Sequence, residues 1–171
     1  LRHGKNTTFE GGMRVPAIFW WPGHLDAGVV SDIGSTLDVY TTVLRLAGAE
    51  PTADVDGLDI SATLLRSEPS PRTTMPYYNR GELRAFRSGT FKLHFITEGA
   101  YGQPPEREMH ETPLLFNLAN DPAEKLDVAS DYPEVVAAIL QQVDEHRAGM
   151  TEKPPLFDLL LEDVAVTSDS Q

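Results

Sequence analysis

The chain has 171 residues, enough for one domain or for the end of a larger one, and 40% of them are hydrophobic. Its 14 basic and 26 acidic side chains give a formal net charge of −12. This balance argues against non-specific nucleic-acid binding, which depends on Lys and Arg neutralising phosphates. The absence of cysteine excludes disulfides, thiolate zinc sites and a cysteine nucleophile within the chain.

The start of the chain shows neither an initiator Met nor the basic segment and apolar stretch of a secretory signal. No apolar run approaches the ~20 residues that a membrane helix needs, so we predict no membrane span. We expect the chain to be a fragment of a longer protein that begins upstream of Leu1.

Residues 4–16 combine Lys5 with a polar Asn-Thr-Thr run, Glu10, a glycine pair and Arg14. Backbone that can approach a ligand closely, flanked by fixed cations, suits an anionic group such as sulfate or phosphate. A plain surface loop is equally compatible with the spacing, and more common, because glycine pairs and single lysines occur in many loops. The pattern alone leaves both interpretations open, with Lys5 as the candidate anion-binding residue.

The next segments predict one strand and two helices. Residues 15–21 are apolar, rich in β-branched and aromatic side chains, and end at a Pro-Gly pair, which predicts a buried strand with both tryptophans in the core. Ser35 and Asp38 resemble a capping box and predict a helix over 36–47, with its apolar face buried. We interpret Asp38 as a partner of the helix dipole. A short helix is predicted over 59–66.

The Pro/Ser-rich segment 67–72 is the best internal boundary. The pattern after it predicts strands and a final helix, over residues 75–79, 83–87, 90–96, 114–118 and 133–148. In the strand over 90–96, apolar residues alternate with Lys92 and His94, as expected for a sheet with one buried face. Asp131 and Glu134 are the predicted cap of the final helix, whose apolar stripe would close over the sheet.

The segment from Leu1 to His24 resembles the second signature region of the type I sulfatases, and is especially similar to the arylsulfatase A and N-acetylgalactosamine-6-sulfatase branch. The similarity covers roughly residues 1–148, in the same order as in that family. It continues through Ser35–Asp38, Asp56–Asp59, Lys92–Phe95, His110–Leu118 and Asp121-Pro122.

The resemblance implies an α/β fold. Residues 1–66 would form the C-terminal part of the catalytic domain, with the end of an alkaline-phosphatase-like central sheet that includes the strand over 15–21. Residues 73–148 would form a small α+β subdomain made of an antiparallel sheet and one helix. Residues 149–171 would form a tail, which we expect to fray.

The resemblance also assigns roles to individual residues. Lys5 matches the family lysine that contacts the sulfate group of the substrate, and it is our candidate catalytic and substrate-binding residue. His110 matches a histidine near the substrate pocket, and His3 is a weaker candidate at the mouth of that pocket. We expect Glu10 and Arg14 to brace the loop, since a catalytic lysine needs supporting contacts.

Sulfatases of this family use a calcium ion, held by an Asp-Asp and an Asp-Asn pair, and a formylglycine made in a Cys/Ser-x-Pro-x-Arg motif. Neither the motif nor these pairs occur here, so we expect both groups upstream, no metal site in this fragment, and no activity of the fragment alone. The implied partners are a small-molecule or sugar sulfate ester and the missing N-terminal part of the same chain. A periplasmic, secreted or lysosomal location fits the family.

Two other functions stay open at this point. A phosphoric or phosphonic ester hydrolase of the same superfamily would use a similar anion-binding lysine. A catalytically silent binding module would keep the fold without the nucleophile.

Overall fold

The computed structural model describes residues 1–150. The predicted tail, with its apolar patch at 156–161, lies outside the described residues except for its first two positions. The described chain divides into two compact units: residues 1–14 together with residues 76–150, and the unit Val15–Met75.

The described residues form four helices and four strands: α1 (Glu10–Met13), α2 (Thr36–Leu46), α3 (Ser61–Arg66), β1 (Thr74–Asn79), β2 (Glu82–Ser88), β3 (Phe91–Thr97), β4 (Glu108–Asn117) and α4 (Pro133–Ala148). The strands make one sheet in the order β1-β2-β3-β4, in which β3 pairs antiparallel with both neighbours. This arrangement confirms the predicted α/β fold class with a small antiparallel sheet and a long final helix. Within residues 1–150, no helix is both long and apolar enough to cross a bilayer.

The core of the first unit lies between the sheet and α4. It consists of Leu83, Phe86, Leu93, Leu115, Ala129, Ile139 and Val143. The predicted hairpin is confirmed, since Ser88 pairs with Phe91 across the β2–β3 turn. The bounds of α4 are as predicted, but its N-cap is Tyr132 without a side-chain hydrogen bond, so the predicted cap at Asp131 is wrong.

The opposite face of β3 differs from the expectation of a single buried face. Lys92 and His94 are both fully buried. The segment over 1–14 covers them, since Glu10 forms an ion pair with Lys92 and Phe9 stacks on His94. The strand is therefore buried on both sides, although its sequence alternates as a half-exposed strand does.

In the unit Val15–Met75, α2 begins with the predicted capping box at Ser35 and Asp38. The buried side of the helix is polar, with Asp38 fully inaccessible, so the predicted burial of the apolar face is wrong. The Asp38 carboxylate accepts hydrogen bonds from the Leu58 amide at 2.8 Å and from the Arg72 guanidinium at 2.8 and 2.5 Å. Asp38 therefore holds the chain around α2 together, which is more than the dipole role predicted for it.

The predicted buried strand over 15–21 is wrong for the described chain. These residues adopt no regular secondary structure, and Ile18 and Trp20 are 92% and 83% exposed. A strand needs a hydrogen-bonded neighbour, and the structure describes no strand in residues 15–73 to which it could pair. The apolar side chains have no cover within this unit.

Candidate functional site

Lys5 lies at the tip of a tight turn. The backbone amide and the hydroxyl of Thr7 both donate to the Gly4 carbonyl, at 3.2 and 2.8 Å. Asn6 adopts a left-handed conformation with φ of 71°, which is uncommon for a residue other than glycine. The turn leaves Lys5 exposed and directs the chain back toward its own start.

The glycine pair closes this turn into a compact loop. The Gly11 amide donates to the Arg2 carbonyl at 3.0 Å. A Cβ at Gly12 would lie 2.3 Å from the Thr7 carbonyl oxygen, which is closer than any side chain tolerates. Both glycines are thus required by the close approach of two backbone segments, and residues 2–12 form one closed loop.

The loop borders an open cleft of about 310 Å³. The cleft is lined by Lys5, Asn6, Thr7, Gly12, Met13, Tyr78 and Asn79. Among these residues Lys5 carries the charge, and no ion pair links it to any residue in the described range 1–150. An ammonium group with three donors beside neutral polar groups is suited to bind the oxygens of an anion.

Two amide side chains and a tyrosine fix the backbone beside Lys5. The Asn6 side chain donates to the Tyr101 hydroxyl at 2.7 Å, and the Asn79 side chain donates to the Asn6 carbonyl at 3.3 Å. Tyr101 belongs to the connection between β3 and β4 and is 72% exposed. This connection therefore reaches the loop that carries Lys5.

The base of the loop rests on buried charges. Lys92 Nζ lies 2.9 Å from Glu10 Oε1 and 3.0 Å from Glu124 Oε1. The other Glu124 oxygen accepts from the Glu10 backbone amide at 2.6 Å. His94 Nε2 lies 2.8 Å from Glu124 Oε1. We call Glu10, Lys92, His94 and Glu124 the buried ion cluster.

The cluster shifts the pKa values of its members. Burial opposes ionisation of Glu124, but the hydrogen bond from His94 and the charge of Lys92 outweigh it and lower the pKa of Glu124. Burial lowers the pKa of His94, so its ring is neutral and Nε2 donates to the carboxylate. Burial, together with the negative charge of Glu10, raises the pKa of the neighbouring Tyr77.

The structure places the three residues singled out from sequence in different surroundings. Lys5 lines the cleft. His3 lies against Phe9, with 4.6 Å between ring centroids, and burial together with Arg2 lowers its pKa. His110 lies in β4, where its Nε2 is 2.8 Å from the Thr97 hydroxyl. Neither histidine is among the residues that line the cleft with Lys5.

Sequence reasoning missed the cleft residue Asn79, the contact of Tyr101 with Asn6, and the burial of Lys92 and Glu124. Lys92 and His94 lie in a segment that carries the family resemblance, which was the available signal for them. No local pattern marks Asn79 or Tyr101, because both reach the loop from more than 70 residues away, with separations of 73 and 95 residues from Asn6.

The described residues do not offer a calcium site. No group of three or more His, Cys, Asp or Glu side chains in the range 1–150 is arranged to hold a metal ion. The sequence also lacks the Cys/Ser-x-Pro-x-Arg motif in which the family forms its formylglycine. The donor set of residues 1–150 therefore does not fit a calcium ion, and the chain offers no motif for the formylglycine.

Two family models match the chain. One, described as the C-terminal region of aryl-sulfatase, matches residues 70–168, and one described as sulfatase matches residues 1–49. Arylsulfatase A of Bos taurus is 40% identical over 161 residues, which are 85% of this chain and 32% of that protein.

Further relatives agree with these matches. N-acetylgalactosamine-6-sulfatase of Mus musculus is 37% identical over 181 residues, which are 91% of this chain and 35% of that protein. The crystal structure of the PsFucS1 sulfatase from Pseudoalteromonas sp. matches with a TM-score of 0.77 at 29% identity, over 86% of this chain and 32% of that one. The chain thus spans about a third of the length of the curated relatives it matches.

Proposed function

This chain belongs to the sulfatase family, and on that premise we propose that it is the C-terminal third of a sulfate ester hydrolase in which Lys5 binds the sulfate group. One observation carries the assignment of Lys5. Its exposed ammonium group lies at the tip of a closed loop, beside a cleft whose other lining residues are neutral.

The chemistry of sulfate esters explains why a cation is needed there. Negative charge on the sulfuryl oxygens and on the leaving oxygen must be stabilised when the ester bond breaks. A lysine provides a mobile point charge with three donors, and it accelerates the reaction to the extent that it binds the transition state more tightly than the substrate. A fixed loop around Lys5 keeps the ammonium near the position where this charge develops.

The rest of the machinery would come from outside this chain. We propose that the other part of the protein holds a calcium ion and a formylglycine. In this family the ion acts as an electrophile and the formylglycine is the nucleophile. The lack of a metal cluster in residues 1–150 and of the Cys/Ser-x-Pro-x-Arg motif supports this division. The chain alone would then be inactive.

The unit Val15–Met75 supports the same division. Exposed apolar side chains such as Ile18 and Trp20 are typical of an interface. We propose that the missing part of the catalytic domain covers them. In this layout residues 1–66 complete the catalytic domain, and 73–148 form the C-terminal subdomain.

The substrate class is a small aryl or sugar sulfate. The names of the relatives indicate an aryl sulfate for one and N-acetylgalactosamine 6-sulfate for the other. In this chain Asn6 and Asn79 line the cleft with Lys5, and the Tyr101 hydroxyl contacts Asn6, so these polar groups can hydrogen-bond to the hydroxyls of a sugar.

The test is Lys5→Ala in the full-length protein, assayed with 4-nitrophenyl sulfate. We expect kcat/KM to fall about 10²- to 10³-fold, as for the loss of one donor to a developing oxyanion, with an unchanged denaturation midpoint. Lys125→Ala is the matched control, because Lys125 is an exposed lysine of the same unit that does not line the cleft.

Near-normal turnover by Lys5→Ala would remove this lysine from the mechanism. A parallel assay with 4-nitrophenyl phosphate separates the ester classes, since a phosphoric ester hydrolase would prefer that substrate. A full-length protein that binds a sulfate ester without hydrolysing it would be the silent binding module instead.

A further inference from the structure

The buried ion cluster joins the loop of Lys5 to the sheet at two points. Glu10 is held by its side chain through Lys92 and by its backbone amide through Glu124. Arg2, at the other end of the loop, donates to the Glu124 carbonyl at 2.8 Å. Both ends of the closed loop are therefore tied to β3 and to the turn that contains Glu124.

Contacts within the loop connect its anchored ends to its tip, where Lys5 lies. Between Arg2 and Gly12, backbone hydrogen bonds and the close packing of the glycine pair leave no free hinge. Phe9 is fully buried and stacks on His94, with 5.0 Å between ring centroids. Because these contacts link the segments of the loop to one another, we expect a displacement at Glu10 to displace Lys5 as well.

Left-handed backbone occurs at two of these places, as it does at four other non-glycine residues of the described chain. Asn6 and Glu124 both have left-handed φ angles, 71° and 52°, although neither is a glycine. Such conformations cost free energy and persist only where the surrounding structure determines them strongly. One of these residues is next to Lys5, and the other is the acceptor in the buried ion cluster.

Stability alone does not account for the cluster. Two carboxylates and one ammonium are removed from water, and a buried ion pair is on average no more stabilising than well-packed apolar side chains. Such a cluster can fix geometry, because hydrogen bonds between charged groups are short and depend on direction.

We propose that Glu10, Lys92 and Glu124 are positioning residues through which the C-terminal sheet holds Lys5 in place for catalysis. This inference rests on the proposed function, since it explains how the C-terminal sheet contributes to the same site. The sheet would then be part of the active-site support, and its loss would reduce turnover even where substrate binding survives.

The test uses Glu124→Gln in the full-length protein, assayed with 4-nitrophenyl sulfate well below the denaturation midpoint. The substitution keeps the shape of the side chain and removes its charge. We expect kcat to fall about 10- to 100-fold, as for a displacement of about 1 Å at a catalytic group, with a much smaller change in KM. Val143→Ala is the control: it opens the core under α4, away from the loop, and should lower the denaturation midpoint without lowering kcat.

A double-mutant cycle decides whether the effect passes through the lysine. If Glu124 acts by positioning Lys5, then Glu124→Gln has no further effect on kcat in the Lys5→Ala background. Independent effects that multiply, or a wild-type kcat for Glu124→Gln alone, would overturn the proposal.

Hydrogen exchange of the loop gives a readout that does not require activity. The amides of Thr7 and Gly11 should exchange faster in Glu124→Gln than in Val143→Ala, because they close the loop that the cluster holds. Equal exchange in the two variants would contradict the proposal. Failure of the proposed function has a different signature: Lys5→Ala would stay active while Glu124→Gln still loosened the loop.

Discussion

Both units of this chain bury polar side chains, but they differ in whether their apolar segments are covered. In the unit that contains the sheet (residues 1–14 and 76–150, called the sheet unit below), Lys92 and Glu124 are fully buried and form an ion pair. In the unit Val15–Met75, the buried side of α2 is polar, whereas Ile18 and Trp20 are exposed. In most proteins apolar side chains are buried and charged side chains are exposed to water, so both units depart from this distribution.

The departures have different causes. In the sheet unit, segment 1–14 provides ion-pair and hydrogen-bond partners for Lys92 and Glu124. In the other unit, no described residue of the unit covers Ile18 or Trp20. A buried charge that is paired within its own unit needs no cover from elsewhere, whereas an uncovered apolar segment indicates an interface.

The largest expected effect is at Lys92. Lys92→Met would leave two buried carboxylates without their shared cation, and we expect a loss of about 3–5 kcal/mol in the free energy of unfolding. Denaturant unfolding of the full-length protein measures it. Adding Glu10→Gln and Glu124→Gln should restore part of the loss, because no charge is then left unpaired. A Lys92→Met protein as stable as the wild type would show that the cluster does not hold the loop.

The next effect tests the exposed segment. If the rest of the protein covers Ile18, then Ile18→Ser in the full-length protein should cost about 1.5–3 kcal/mol, as for a buried aliphatic side chain. Leu126→Ser is the comparison, since Leu126 is 66% exposed in the sheet unit and a solvated position changes stability by less than about 0.5 kcal/mol. Equal midpoints for the two variants would mean that residues 15–21 remain in water.

A smaller effect is expected at Asp38. Asp38→Asn removes the charge that Arg72 faces and replaces one acceptor oxygen by a donor, next to the amide of Ser35 or Leu58. Unsatisfied buried groups of this kind cost about 1–3 kcal/mol. Amide exchange in α2 should speed up, and exchange in β3 should stay unchanged because the two elements lie in different units. Faster exchange in both would show that the units unfold together.

The sequence predicted correctly those features that depend on residues close to one another in the chain. The capping box at Ser35, the β2–β3 hairpin and the bounds of α4 depend on neighbouring residues, and the structure confirms them. Lys92 is paired with Glu10, which lies 82 residues earlier in the chain. The alternation of apolar and polar residues in β3 could therefore not predict that Lys92 is buried.

The site shows the same limit. Lys5 was found through family resemblance, and its loop was found from the glycine pair, while the residues around the cleft come from distant parts of the chain. The prediction of a strand over 15–21 was wrong for the described chain because an apolar pattern indicates that residues are buried but does not show which strand would pair with them.

The last and smallest prediction uses pH to separate the two units. Burial lowers the pKa of His94 below its usual 6.5, so the unfolded chain takes up a proton first as the pH falls. Stability from neutral His94 is complete above pH 6.5 and declines as the pH falls from there toward the lower folded-state pKa. The charged groups that contact His94 or its partners are Lys92, Glu10, Glu124 and Arg2, and Arg87 lies 3.9 Å from Glu10. The pKa of Glu124 is lowered from 4.5, so its contribution is lost only below that pH.

In the unit Val15–Met75 the pKa of Asp38 is lowered from 3.8, because hydrogen bonds from Arg72, Leu58 and Ser35 outweigh the opposing effect of burial. Acidification from pH 7 to pH 5.5 should therefore loosen β3 and leave α2 unaffected. The expected slope is at most about 1.4 kcal/mol per pH unit for one proton, read from amide exchange corrected for the intrinsic effect of pH. His94→Gln, which can still donate to Glu124, should flatten this slope. A slope that persists in that variant would assign the pH dependence to a group other than His94, and the buried ion cluster would then not be what distinguishes the two units in mild acid.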